Sequence, residues 1–539
     1  MPDGTETEAE WSSVRPPRRI ARNTAIFSFA TGLSRITGMG REIFAQAYLG
    51  GISRGGAFSA FTIAFQVPNL VRSLFADAAL SAAFVPVFTD LLEKGEKREA
   101  SRLATTLLFV ILAALGLITA FFILAAHFVM PLFIGSTFNA QLTTLTVGLS
   151  QVLFPIVVLL GVNGLLVGIL QSYDHFTIPA IASVVWNFVI VGVFLALRSH
   201  FHGMDQTYAY AIGVLVGTVV QLAMAIVAMR QIDFRLVPTF DWRDPRVRKV
   251  FTLMLPVTIG LGIINFDLLI NSSLGTLVSQ SAPRAIDAAF RVYMLPQGMF
   301  SVAVATVLFP ALSAFATRRD FDGLRQTMAT GVRQINMLLL PATAFTLALA
   351  TPIVRLIYQH GSSGPHDTDR IALALFWFAF SMPFAGVNLL LTRTFYSLQR
   401  TWTPTALAGA NMVLDIIVSL ALYKPLGIAG LVIGTASASA FMTALQAIYL
   451  RRELGGRLDG RLTTMITARI AAAAALLGGV SWLVWSALDA QLGRSVVAQI
   501  VSVGGAATIG LVVYVLSVLA MRVPEAHDVR RRVRGRLRA

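Results

Sequence analysis

The chain has 539 residues, 56% of them hydrophobic and 13% charged, with a formal net charge of +16 and no cysteine. Soluble domains carry roughly 25% charged residues, so this composition excludes an ordinary soluble fold and points to an all-α polytopic membrane protein. The lack of cysteine excludes disulfides, thiolate metal sites and cysteine nucleophiles together.

Residues 1–20 are polar and proline-containing, and read as a disordered cytoplasmic tail. Fourteen apolar spans follow, at roughly 24–48, 57–90, 104–133, 143–171, 178–198, 207–230, 250–279, 285–316, 327–358, 371–397, 403–423, 427–450, 464–488 and 495–521. Most reach the 20 or so residues a helix needs to cross a bilayer. The boundary after the eleventh is the least marked, resting on Tyr423-Lys-Pro-Leu-Gly427 alone. The first span is long and contains arginines, unlike a cleavable signal peptide. The longest hydrophilic connection, about 232–249, is a cytoplasmic linker. These boundaries give an N-terminal lobe of six helices (21–231), a C-terminal lobe of six (250–452), two further helices (453–522) and a basic cytoplasmic tail (523–539).

Charge placement sets the orientation. With the N-terminus in the cytoplasm, 29 Lys and Arg fall on the cytoplasmic side. Seven fall outside: Arg54, Arg198, Arg284, Arg355, Arg370, Lys424 and Arg494. That asymmetry places both termini in the cytoplasm. The positive excess is then mostly topological, so no nucleic-acid partner is expected. The cluster from Arg530 to Arg538 reads first as a topogenic, solvated tail, and second as a contact for anionic lipid.

The chain repeats itself. Gln171-Ser-Tyr-Asp-His-Phe-Thr-Ile-Pro179 with Asn187 parallels Gln399-Arg-Thr-Trp-Thr-Pro404 with Asn411, and Phe84-Val-Pro86 parallels Leu308-Phe-Pro310. The paired elements lie six spans apart and so share an orientation. This is a parallel repeat of two six-helix lobes, an architecture of transporters that work by alternating access. Pro68, Pro86, Pro256, Gly260, Pro296 and Pro310 interrupt the spans that would bend, although prolines are also simply common in membrane helices.

Arg35, Arg41, Arg72 and Arg291 lie within or at the edge of apolar spans. A cation near mid-bilayer costs about 3 kcal/mol on insertion scales and over 10 in simulations. Such residues face water or a partner, and four together suggest a cavity that receives an anion. The plainer alternative is internal pairing, Arg41 with Glu42 or Arg72 with Asp77.

Longer strings then resemble a known family. Ser34-Arg-Ile-Thr-Gly-Met-Gly-Arg-Glu42, Phe65-Gln-Val-Pro-Asn-Leu-Val-Arg72 and Leu74-Phe-Ala-Asp-Ala-Ala-Leu-Ser-Ala-Ala-Phe-Val-Pro86 are similar to the N-terminal signature of the MurJ (MviN) lipid II flippases. Arg291-Val-Tyr-Met-Leu-Pro-Gln-Gly298, Leu356-Ile-Tyr-Gln-His-Gly361 and Arg393-Thr-Phe-Tyr-Ser-Leu-Gln399 extend the match, which runs from about 24 to 450. The resemblance implies a fourteen-helix member of the multidrug/oligosaccharidyl-lipid/polysaccharide exporter superfamily in the bacterial inner membrane. It implies transfer of undecaprenyl-pyrophosphate-linked peptidoglycan precursor from the inner to the outer leaflet. It places Arg35, Arg41, Arg72 and Arg291 on the pyrophosphate, which suits the guanidinium fork. It implies membrane lipids and cell-wall synthesis or division proteins as partners. It also implies a coupling ion, sodium or proton, at Asp267, Asn411, Asp415 and Thr435, an all-oxygen set suited to a hard cation. Asn411 and Asp415, one helical turn apart, could equally well hydrogen-bond helices together. Two positions depart from the family: Ser59 and Phe290 stand where carboxylates are usual, which makes the cavity more cationic.

Enzyme signatures are missing: the sequence has no His-Glu-x-x-His, P-loop or Gly-x-Ser-x-Gly motif, and its seven histidines are scattered. A transporter without an organic cofactor is expected. The alternatives are another lipid-linked oligosaccharide flippase, a cation-coupled drug exporter of the same superfamily, and a non-transporting scaffold for cell-wall enzymes. A cavity for cationic drugs should carry carboxylates rather than arginines.

Overall fold

A computed structural model describes residues 18–50, 56–75, 78–173, 175–234, 239–455 and 460–527. Most of both expected tails, the Arg530–Arg538 cluster and Asp77 lie outside these residues, as does the side chain of Pro256. Among the described residues the regular structure is helical: α1 (Arg18–Leu49), α2 (Ala57–Phe75), α3 (Ala78–Glu93), α4 (Lys97–Val129), α5 (Ala140–Leu153), α6 (Pro155–Ser172), α7 (Thr177–Leu197), α8 (Gln206–Met229), α9 (Pro245–Val278), α10 (Ala282–Thr317), α11 (Phe321–Tyr358), α12 (Pro365–Ser397), α13 (Trp402–Leu426), α14 (Ile428–Glu453), α15 (Gly460–Leu492) and α16 (Val496–Ala520). The pairs α2–α3 and α5–α6 each occupy one expected span, so these helices map onto the fourteen spans.

Among the described residues, eleven helical stretches are long and apolar enough to cross a membrane. The three spans left over are α1, α2–α3 and α9. These are the ones that carry Arg35, Arg41 and Glu42, Arg72, and Asp267. Arg291, Asn411, Asp415 and Thr435 lie on α10, α13 and α14, which are among the eleven.

Local chemistry sets the helix ends. Pro155, Pro245 and Pro365 open α6, α9 and α12, where a missing N–H costs nothing. Asp320 caps α11 by accepting from the Gly323 amide (2.9 Å), and Ser495 caps α16 through the Ala498 amide (3.2 Å). Gly427, with φ +58°, makes the turn from α13 to α14, a conformation that favours glycine. Helices α2, α3 and α10 continue through Pro68, Pro86, Pro296 and Pro310. The break that the sequence reading missed is in α11, where Leu349 leaves helical geometry (φ −123°, ψ 27°). Pro352 follows three residues later, and its ring clashes with the carbonyl four residues before it, at Ala348.

The chain divides into two compact units, residues 1–45, 68–126 and 148–258, and residues 46–67, 127–147 and 259–539. These borders differ from the expected lobes. The end of α1, the start of α2 and the 127–147 segment group with the second unit because they bond to it: the Ser362 amide donates to the Ala47 carbonyl (2.6 Å) and Thr137 Oγ1 to the Thr276 carbonyl (2.5 Å). In the first unit the linker is tied down as well. Lys97 pairs with Asp233 (2.7 Å), and Arg246 bridges Glu99 (2.5 Å) and Asp244 (3.0 Å). Burial alone would raise the Asp244 carboxyl, but hydrogen bonds from the Arg246 guanidinium and amide hold it below its ordinary value.

The repeat is visible as the same helix pair used twice. Pro179 and Pro404 are each the third residue of their helix, α7 and α13. Asn187 of α7 donates to the Ser34 carbonyl (3.4 Å) and Thr37 Oγ1 (3.2 Å) of α1. Asp415 of α13 accepts from Asn271 of α9 (2.9 Å). Spans one and five of the first half thus meet as spans seven and eleven of the second do.

Helices α15 and α16, outside the repeat, pack on α11. Ile466, Ile470, Leu477 and Val518 bury against Met337 and Leu340, and the Tyr514 hydroxyl donates to the Met337 carbonyl (2.6 Å). Beyond α16, the Glu525 carboxylate pairs with Arg333 of α11, their side chains 5% and 12% exposed. Removing one member of a buried pair strands the other charge. Glu525→Ala should therefore cost about 3 kcal/mol, seen as a lower unfolding temperature of the detergent-solubilised protein. An unchanged temperature would mean that this pair does not anchor the last two helices.

Candidate functional site

The arginines predicted from sequence have distinct surroundings. In the first unit, Arg35 is exposed on α1, and among the described residues it has no ion-pair partner. Arg41, 10% exposed, donates from Nη2 to Glu42 Oε1 (2.7 Å), and its guanidinium sits 4.6 Å from the centre of the Trp186 ring. Its Nε is buried without a hydrogen-bond acceptor among the described residues. The pairing of neighbours named as the plainer alternative is therefore formed at this position. Arg72 of α2 donates from Nε (3.2 Å) and Nη2 (2.9 Å) to Asn69 Oδ1, one turn earlier.

In the second unit, Arg291 of α10 is 36% exposed and donates from Nε to Asp287 Oδ2 (2.9 Å). The same oxygen accepts from Arg284 Nη1 (2.8 Å). Arg284 corrects the sequence reading. It was counted among cations of an outer loop, yet it is buried in the first turn of α10 at 5% exposure. Positive-inside counting assigns helix-end cations to solvent, but tertiary partners hold this one: its Nε donates to Gln46 Oε1 (2.8 Å) and its guanidinium lies 4.0 Å from the Phe58 ring centre. Arg355 and Arg370, also assigned outside, are helical and pair with Asp489 (3.7 Å) and Ser281 respectively. Asp287 was missed, although the spacing Arg284-x-x-Asp287-x-x-x-Arg291 places all three on one helical face.

The four oxygen-bearing residues suspected of binding an ion lie in the second unit, with Asp415 at their centre. Asp415 Oδ2 accepts from Asn271 Nδ2 (2.9 Å) and Thr435 Oγ1 (3.2 Å), and Oδ1 accepts from Ser419 Oγ (3.0 Å). Asp267 is close enough to Asp415 for the two carboxyls to interact. Asp267 Oδ1 and Asn411 Oδ1 are buried with no hydrogen-bond partner among the described residues. Two carboxylates brought together disfavour each other's charge. Ser419 and Asn271 were not anticipated; Ser419 lies one turn from Asp415, but Asn271 is 144 residues away in sequence.

Residues 50–502 match the family model described as lipid II flippase MurJ. A "Probable lipid II flippase MurJ" of Rhizobium meliloti (strain 1021) is 30% identical over 475 residues, covering 86% of this chain and 87% of the relative. The "Lipid II flippase MurJ" of Burkholderia cenocepacia is 27% identical, covering 78% and 82%. Among solved structures, "Lipid II flippase MurJ, inward closed conformation" superposes with a TM-score of 0.75 at 19% identity, covering 92% of this chain and 99% of that one. An inward-facing multidrug resistance MATE family transporter of the MOP superfamily gives 0.66 at 15% identity, covering 77% and 94%. The chain belongs to the MurJ family and is a multi-pass membrane protein.

A Cβ on Gly434 would stand 2.2 Å from Ser419 Oγ and 2.6 Å from Asp415 Oδ1. Gly434→Ala should therefore displace the Asp415 carboxylate and cost about 1–3 kcal/mol, as overpacking does. Thermal unfolding of the purified variant checks this; a variant as stable as its parent would show that α13 and α14 tolerate separation at this point.

Proposed function

We propose that this member of the MurJ family carries undecaprenyl-pyrophosphate-linked peptidoglycan precursor from the inner to the outer leaflet of the bacterial cytoplasmic membrane by alternating access, with both termini in the cytoplasm. The observation that carries the reading is the exposure of two of the intramembrane arginines. Arg35 is exposed and without an ion-pair partner among the described residues. Arg291 is more than a third exposed and shares its carboxylate with Arg284. A guanidinium left charged in a span needs an anion or water. A diphosphate supplies the anion in a form that the planar fork binds bidentately. Arg41 is more enclosed and already paired, so its part is in shaping the wall through Glu42 and Trp186.

The residues present also fit a monovalent cation. Asp267 and Asn411 each direct a buried oxygen that lacks a partner, and with Asp415 and Thr435 they form an all-oxygen set for sodium. A proton shared by the two carboxylates meets the same electrostatic need. When bound, the ion supplies positive charge that allows both carboxylates to remain together. The residues themselves join α9, α13 and α14 around that charge, so binding favours whichever conformation keeps those three helices together.

Two measurements test this reading. The first is flipping of fluorescent lipid II in proteoliposomes, with growth of cells depleted of their own flippase. Arg35→Ala and Arg291→Ala should each reduce flipping about 10–100-fold, the size of one lost charged hydrogen bond of about 1.5–3 kcal/mol, with insertion intact. Full rescue of growth by both variants would favour a scaffold over a transporter. The second is thermal stability in sodium against potassium at fixed pH. Sodium should raise the unfolding temperature of the parent, and Asp415→Asn should abolish the rise. A response to pH but not to sodium would assign the ion as a proton, and no response to either would remove the coupling role.

A further inference from the structure

The cluster behind Arg291 is built for more than burial of charge. Exposure falls steadily along it: Arg291 36%, Asp287 10%, Arg284 6%, and Gln46 1%. Each inner group fixes the next one out. Gln46 and the Phe58 ring hold Arg284, the Arg284 amide also donates to Ser59 Oγ (3.4 Å), and Arg284 and Arg291 grip one oxygen of Asp287 from two sides (2.8 and 2.9 Å). The chamber beside Arg284, lined by Gln46, Phe58, Ser59, Asp367 and Arg370, has about 20 Å³ of open space. That is room for one water, so the anchor has little space in which to shift.

Two guanidiniums thus share one carboxylate oxygen. A long arginine side chain also carries about 2 kcal/mol of rotamer entropy, which an unsupported Arg291 would lose on binding. A guanidinium held at Nε is already fixed in plane and direction, as bidentate phosphate recognition requires.

We propose that Asp287 is a positioning residue for the substrate diphosphate: backed by Arg284 and Gln46, it holds Arg291 in the orientation that binds the phosphates. This rests on the reading that Arg291 contacts the lipid-linked diphosphate. It also gives a role to the departure at Phe290, since the counter-ion for Arg291 sits one turn earlier on α10.

The test is a double-mutant cycle on the full-length protein in proteoliposomes, with lipid II as the transported probe at fixed ionic strength. Asp287→Asn should raise the apparent KM about tenfold, the worth of one charge-assisted hydrogen bond, and change the maximal rate by less than about twofold. Asp287→Glu should restore most of the affinity. Asp287→Asn added to Arg291→Ala should give no further loss, because the two act as one unit. Where Asp287→Asn fails to insert, Arg284→Gln runs the same cycle, and the same rise in KM is expected. A lower KM for Asp287→Asn would show that the carboxylate merely repels the substrate, and additive losses would show that it acts apart from Arg291; either result overturns the proposal. If Arg291→Ala transports with parental KM, the diphosphate reading of Arg291 fails first. If Arg291→Ala is impaired and Asp287→Asn is not, only the positioning role falls.

Discussion

The cost of an ion in hydrocarbon governs this molecule. Every charge on a membrane-spanning helix must be met by an opposite charge, a hydrogen-bonding dipole, water or a ligand. The chain uses each solution at a different place. Arg333 and Glu525 neutralise each other in a buried contact that fastens the last two helices to α11. Arg72 rests on a neutral amide. Asp287 divides its charge between two arginines. Arg35 is left exposed. The same side chain is therefore buried in a pair at one place and exposed at another, and its surroundings alone separate the two.

The repeat gives that separation a history in geometry. In both halves the helix carrying the Pro179 or Pro404 landmark touches the first helix of its own half. In the first half the contact is an amide, Asn187, satisfied by Ser34 and Thr37. In the second half it is a carboxylate, Asp415, ringed by Asn271, Ser419, Thr435 and Asp267. The neutral version joins helices and needs nothing further. The charged version gathers a second carboxylate and two unpartnered oxygens, which creates a demand for positive charge. The same helix contact thus carries an amide in one half and a carboxylate in the other.

Legibility from sequence follows the range of the interaction. Helix existence and number were readable because hydrophobic length is a local property, and Arg41–Glu42 was readable because the partners are adjacent. The line from Asp415 to Ser419 was within reach at one helical turn. Gln46 was not, since it meets Arg284 across 238 residues. Arg284 was misplaced for a related reason: a statistical rule about loop charge has no information on whether a helix end is covered. The kink at Leu349 had a local signal in Pro352, but prolines at 68, 86, 296 and 310 gave the same signal without breaking their helices.

Ser59 and Phe290 remove two negative charges from the expected set, which by itself would leave more cations repelling one another in low dielectric. The structure fills both positions with uncharged contacts. Ser59 accepts a hydrogen bond from the Arg284 amide, and Phe290 packs among Tyr293 and Phe378 at ring separations of 5.6 and 5.8 Å. The counter-charge has moved to Asp287, where it is 10% exposed. A carboxylate at Phe290 would compete with substrate for the exposed end of Arg291 only if it shared that exposure. Behind the arginine, at Asp287, it orients the guanidinium from a less exposed position. On the diphosphate reading of Arg291, a counter-ion one turn back separates the task of ordering the arginine from the task of leaving it able to bind.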